Sequence, residues 1–184
     1  MEAKWLFATK NPYKLKEAQT ILGNEWVLEG LPPEAPEAPE PYETLYANAL
    51  SKAAFYASWA RVPVLAEDSG LFVPALGGQP GVFSARYGGP QRLLKAMEGV
   101  AHRNAYFVAV LVAYFGNAQY HFYTGYCFGM IAREMRGEGG FGYDPIFIPA
   151  GSEHTVAELG EAWKKKYSHR AIAFQRFVEG WTKQ

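Results

Sequence analysis

Within Ala66-Glu67-Asp68-Ser69-Gly70, two carboxylates, a hydroxyl and a glycine follow the apolar run Val62-Pro63-Val64-Leu65. Adjacent like charges at a strand end repel, and partial shielding from water makes that costly unless something positive lies between them. Two carboxylates with no nearby His or Cys suit a hard cation such as Mg2+ rather than zinc. On a continuing strand Glu67 and Asp68 point to opposite faces; they converge only if the chain turns there, which Gly70 makes easy. A backbone turn capped by Asp68 and Ser69 would use the same residues without any cation.

Three further clusters carry chemistry. Thr9-Lys10-Asn11-Pro12-Tyr13-Lys14 joins a strand to a helix, and a helix start with its free N–H groups receives phosphate readily. It is not a Walker loop, and an ordinary strand–helix turn with surface lysines fits the same letters. Gly139–Asp144, "GGFGYD", combines glycines that admit a ligand close to the backbone with Phe141 and Tyr143, whose flat faces suit a planar base. Asp144, extended before Pro145, is an acceptor for a ring N–H; a glycine turn with core aromatics is the plainer account. Lys164, Lys165, Lys166, His169 and Arg170 crowd the start of the last helix, where cations oppose the dipole unless an anion is near. Lys165 and Lys166 read as a solvated face.

The elements that must position these clusters alternate. "KWLFAT" (4–9) reads as a strand, "PYKLKEAQTIL" (12–22) as a helix with proline in its first turn, and "EWVLEG" as a second strand. Residues 31–43 hold five prolines and four glutamates, an extended loop rather than a helix. An alanine-rich helix over 43–60 and a central strand, "VPVLAE", follow; then come a glycine-rich loop (75–90) and a helix in "QRLLKAMEGV". "NAYFVAVLVAYF" and "AQYHFYTGYCFGMIA", around "GNA", read as a long hairpin. Residues 136–147 form a glycine loop entering a short strand, and 168–181 a closing helix that Ser168 could cap. The sum is a mixed α/β domain with its chemistry at strand ends.

Composition narrows the class. A chain of 184 residues that is 49% hydrophobic and 16% aromatic is a folded domain, not a disordered one. Eighteen basic residues balance eighteen acidic ones, which argues against a nucleic-acid polymer as partner. The lone Cys127 excludes an internal disulfide and reads as a buried filler. No stretch resembles a signal peptide or reaches the roughly 18 apolar residues of a membrane span, so a soluble, cytoplasmic protein is expected.

"ATKNPYKLKE", "TLYANALSKA", "AEDSGLFVPALGGQPGVFSARY", "GGFGYDPIF" and "KKYSHRAIA", in that order, resemble the motifs of the inosine/xanthosine triphosphate pyrophosphatases, which hydrolyse non-standard purine nucleotides. The likeness runs essentially end to end. It implies one domain over 1–184: an elongated, mixed α/β fold with a central curved sheet flanked by helices and two lobes with a cleft between them. It also implies a homodimer, Mg2+ as cofactor, and cleavage between the α and β phosphorus to a nucleoside monophosphate and pyrophosphate.

Residue by residue, the resemblance implies that Asp68 activates water and contacts the metal, with Glu40 and Glu67 as further metal carboxylates. Thr9, Lys10, Asn11, Pro12, Tyr13 and Lys14 match the phosphate turn, and Ser69 an adjoining hydroxyl contact. Phe141, Gly142, Tyr143 and Asp144 match the base loop. Lys164, His169 and Arg170 match the cationic end, with His169 and Arg170 near the purine 6-oxo group and Lys14 and Lys164 offsetting charge on pyrophosphate. Lys10 stands where the family usually has glycine, Tyr13 replaces another glycine, and Ala47 replaces a frequent glutamate; Glu37 neighbours Glu40. Two other activities remain compatible with the residues: removal of a terminal phosphate, and nucleotide sensing without catalysis.

Overall fold

Trp5 and Phe7 anchor the first strand, β1 (Ala3–Phe7), and Pro12 fixes the first turn of α1 (Pro12–Leu22). The computed structural model describes residues 3–182. β2 (Trp26–Glu29) follows, and the proline-rich residues 31–43 run without helix or strand to Thr44, whose hydroxyl caps α2 (Leu45–Ala60). β3 (Val64–Phe72), β4 (Pro80–Gly81) and α3 (Gly89–Ala96) lead to the hairpin β5 (Asn104–Gly116) and β6 (Gln119–Ile131). Asn117 and Ala118 make its two-residue turn, both with positive φ, the sense that matches strand twist. The chain closes with β7 (Phe147–Pro149), α4 (Val156–Leu159), α5 (Glu161–Tyr167) and α6 (His169–Thr182).

The strands form one sheet in the order β2-β1-β3-β5-β6-β7, with β4 paired to β3. β1 is parallel to β2 and to β3, whereas β4 and β7 are antiparallel to their neighbours. The mixed α/β class read from the sequence is therefore the class observed. No helix among the described residues is long and apolar enough to cross a membrane.

Two compact units divide the chain: one holds the chain up to Asp68, Ala109–Gly125 and the chain from Arg170; the other holds Ser69–Val108 and Tyr126–His169. The core of the first gathers Trp5, Phe7, Trp26, Leu111, Phe174 and Phe177. Trp5 meets Phe177 edge-on at 5.5 Å, a contact adding about 0.5–1.5 kcal/mol to the burial itself. The core of the second gathers Leu71, Met97, Phe107, Ile131, Ile146 and Phe147. Cys127 lies buried on its edge, its thiol pushed up to about 11 by burial, an inert filler as expected.

Candidate functional site

The acidic pair lies inside a strand, not at its end. β3 continues through Glu67 and Asp68 to Phe72, so the two side chains leave the backbone on opposite faces. Of the two arrangements the sequence left open, the continuing strand is the one observed. Gly70 serves a close approach instead: a Cβ there would lie 2.3 Å from the carbonyl oxygen of Gly81 on β4, so glycine is what lets β4 pair.

Glu67 is buried in the first unit, and both of its oxygens accept from Arg170, Oε2 from Nε and Oε1 from Nη2, the latter at 3.0 Å. Arg170 Nη1 donates to Glu17 on α1. Burial alone would favour loss of the guanidinium proton; the carboxylates of Glu67 and then Glu17 outweigh it and hold Arg170 charged. Glu67 was expected on a metal and Arg170 on a purine oxygen. In this structure they hold each other, with three of five guanidinium N–H groups committed to carboxylates.

Asp68, on the other face, is half-buried and pushed up to about 6. Burial is the main cause; Lys52 and Lys14 pull it down, and Glu40 and Glu67 push it further up. Glu40 is held by Lys52, Nζ to Oε1 at 3.0 Å. Lys14, on α1, is itself lowered by burial, with Glu67 offsetting part of that loss. The group around Asp68 is thus one carboxylate from β3, one from the proline loop, and two lysines.

One face of α2 fixes that loop. Asn48 exchanges hydrogen bonds with the backbone of Tyr42 (3.0 Å each way), Lys52 reaches Glu40, and the Tyr56 hydroxyl donates to Pro36 O at 2.8 Å and accepts from Ala38 N at 3.2 Å. Positions 48, 52 and 56 lie one turn apart, so the helix reads the loop in reverse order. Lys10 adds a second latch, with Nζ 2.7 Å from Ala35 O and 2.8 Å from Glu37 Oε1.

The expected phosphate turn is closed upon itself. Asn11 caps α1, its side-chain oxygen accepting from Tyr13 N (2.9 Å) and Lys14 N (3.3 Å), while Thr9 Oγ1 accepts from Asn11 N (3.0 Å). Pro12 has no N–H to offer. Tyr13 is exposed, so of this turn it is Lys14 whose charge is felt at Asp68.

Among the described residues no three His, Cys, Asp or Glu side chains gather at metal spacing. Mg2+ does not require three: one or two carboxylates suffice when phosphate oxygens and water complete the shell. Glu40 and Asp68 fit that requirement by chemistry, being oxygen donors with lysines beside them.

The remaining expected residues lie in the second unit. Ser69 follows Asp68 along β3. Asp144 opens a short 3-10 turn, Asp144–Ile146, rather than standing extended; its Oδ2 accepts from Phe141 N at 3.0 Å and from Lys164 Nζ at 2.8 Å. The Lys164 ammonium also lies 4.6 Å from the Phe141 ring centroid, a cation–π contact. Lys164 therefore belongs to the aromatic loop. Gly140 has φ +74°, and a Cβ there would lie 2.2 Å from Asp144 Oδ2.

Gly142 is exposed, but Tyr143 is buried, its hydroxyl donating to Ser84 O at 2.6 Å. Tyr143 thus belongs to the core of the second unit. His169 stacks on Phe107 at 4.6 Å with 9° between planes. Lys165 and Lys166 are exposed, as expected. Lys52 and Glu17 are the residues that sequence reading missed. Their signals were polar positions spaced by a helical turn from Asn48 and Lys14.

Strand order and polar groups together define a mixed α/β protein with carboxylate–lysine chemistry on a central strand. Residues 5–180 match the Ham1 family. A dITP/XTP pyrophosphatase of Porphyromonas gingivalis is 42% identical over 180 residues, covering 92% of this chain and 93% of its own. That of Thermus thermophilus is 44% identical over 191 residues, covering 97% and 91%. The solved HAM1 protein of Coxiella burnetii superposes with a TM-score of 0.89 at 34% identity, over 99% of this chain and 100% of that one. The chain belongs to the Ham1 family.

Proposed function

We propose that this protein hydrolyses non-standard purine nucleoside triphosphates (dITP, ITP and XTP) to the nucleoside monophosphate and pyrophosphate, clearing them from the nucleotide pool. The observation that carries the chemistry is Asp68: a strand carboxylate pushed up to about 6 by burial, between two lysines and a second carboxylate. A group of that basicity takes a proton from water near neutral pH. Lys14 and Lys52 supply fixed positive charge beside it, and fixed charge stabilises a polyanion as electrons shift toward a leaving phosphate. Glu40 and Asp68 are the residues that would hold Mg2+, whose chemistry is to neutralise phosphate oxygens and fix their geometry.

Base selection is assigned to the second unit. Asp144, whose Oδ2 accepts from Lys164 and Phe141 N–H, suits a purine that carries a ring N1–H. Hypoxanthine and xanthine carry one and adenine does not. Adenine would face an acceptor with a ring acceptor and leave a buried group unpaired, a difference worth orders of magnitude. Relatives named dITP/XTP pyrophosphatase support the same substrates.

A panel of dITP, ITP, XTP, GTP and ATP, with and without Mg2+, tests the reading. Pyrophosphate released from the first three in preference to ATP, and only with the metal, supports it. Orthophosphate in place of pyrophosphate would mean a terminal phosphatase, and no hydrolysis at all would mean a sensor.

The same reading makes the protein a cytoplasmic homodimer, and cell fractionation tests the location. Exposed Tyr46, Tyr120 and Phe122, with Tyr46 and Phe122 edge-on at 5.1 Å, form an aromatic surface of the kind that self-association covers. Sedimentation equilibrium should return twice the chain mass, and Phe122→Glu should return the monomer; a monomeric wild type would end the dimer proposal.

A further inference from the structure

A cavity of about 460 Å3 opens in the second unit, lined among others by His102, Arg103, Met130, Arg133, Arg136 and Ile148. Arg103 is buried, and its guanidinium is tied to main-chain oxygens throughout: Nε to Ile131 O at 2.8 Å, Nη1 to Met97 O at 2.9 Å and Val100 O at 3.2 Å, Nη2 to Ala132 O at 2.7 Å. Carbonyls orient a guanidinium without cancelling its charge. Among the described residues neither Arg103 nor Arg133 has a carboxylate at ion-pair distance, and Arg136 stands 3.6 Å from Glu158, which His154 shares.

Three guanidiniums thus share one concavity with a single lining acid, Glu134. Burial, and then the charge of Arg133, lower the proton affinity of Arg103, as expected of a like charge nearby. An anion relieves that repulsion, and planar guanidinium forks suit phosphate oxygens. The rest of the wall is different in kind. Met130, Ile131 and Ile148 offer apolar surface, and the volume falls within the ordinary range for small-molecule pockets, about 300–1,000 Å3. Inorganic phosphate would leave that surface bare.

We propose that this cavity binds a small organic phosphate, its phosphate on Arg133 and Arg136 and its body on Met130 and Ile148. The site shares no residue with the groups assigned above to hydrolysis and base selection, and it stands or falls independently of them.

Methionine-methyl NMR of the full chain tests it, with adenosine 5′-monophosphate as the probe. The chain has four methionines, so a Met130→Leu variant identifies the Met130 resonance by its loss. A saturable shift of the Met130 methyl is expected, weakened at least tenfold in Arg133→Ala; that residue is exposed, so the variant should fold and retain full dITP turnover. Asp68→Asn should leave the titration unchanged. An unmoved Met130 methyl, or a titration indifferent to Arg133→Ala, overturns the site. Inorganic phosphate saturating as readily as the nucleotide overturns the organic ligand class.

Discussion

Arg170 and Glu67, 103 residues apart in sequence, lie fork to fork in the first unit, with Glu17 on the remaining guanidinium edge. Two carboxylates thus hold one buried cation, and a carboxylate expected on a metal works inside the fold. Removing one member of such a group leaves the others charged and unpaired, which costs about 3–5 kcal/mol. Arg170→Met should lose stability of that order in urea denaturation. Adding Glu67→Gln and Glu17→Gln should return much of it, because no lone charge then stays buried. A loss below about 1 kcal/mol for Arg170→Met would show that the guanidinium is not the clamp.

Asp68 lies on the opposite face of the same strand, and its sign in the stability balance is the reverse of an ordinary salt-bridged aspartate. Its value rises from 3.8 to about 6 on folding, so the native state holds the proton more tightly than the unfolded chain. Stability therefore falls as pH rises from about 4 to 6 and stays reduced above that window. The full gap corresponds to up to about 3 kcal/mol at neutral pH. Asp68→Asn should raise urea-derived stability at pH 7.5 by about 1–3 kcal/mol and leave it unchanged below pH 4, while dITP turnover falls at least a hundredfold. A variant no more stable at pH 7.5 than the wild type would mean that Asp68 carries no burial penalty.

Much of the scaffold was legible because its signals are local. Pro12 and the apolar spacing after it define α1, and "GNA" between two long β-branched runs defines the hairpin. The short α5 was not legible, since "EAWKKKY" reads as a charge run; yet Lys164 is buried against Asp144 while Lys165 and Lys166 face water. The strand through Glu67 and Asp68 was misread for a physical reason. Two charges and a glycine are poor strand formers on propensity alone. What overrides propensity lies outside the strand: Arg170 on Glu67, and β4 against Gly70. Lys52 was hidden in an alanine-rich helix because nothing local says what a helix face will meet.

The proline loop should loosen when its latches are removed. Lys10 grips Ala35 O and Glu37, and Tyr56 bridges Pro36 O and Ala38 N. Lys10→Gly and Tyr56→Phe each remove hydrogen bonds worth about 0.5–1.5 kcal/mol. Both should speed amide exchange within residues 35–42 while leaving β5 and β6 protected. If Glu40, which rides on this loop, holds Mg2+, each should also raise the Mg2+ concentration needed for half-maximal dITP hydrolysis. Exchange unchanged in both variants would assign the loop's order to Lys52 and Asn48 alone.

Lys164 is the cation on which the aromatic loop turns. Its ammonium sits on Asp144 Oδ2 at 2.8 Å and over the Phe141 ring at 4.6 Å, and the pair is nearly buried, each side chain 10% exposed. Lys164→Met keeps the length of the side chain and removes the charge, so Asp144 loses the partner that fixes it. If Asp144 reads a ring N1–H, the dITP-to-dATP ratio of kcat/KM should fall at least tenfold, with most of the change in KM for dITP. Lys164→Arg, which restores the charge and can still reach the carboxylate, should recover much of the ratio. A purely structural role would lower stability and slow both nucleotides alike. An unchanged ratio in Lys164→Met would move base selection away from Asp144.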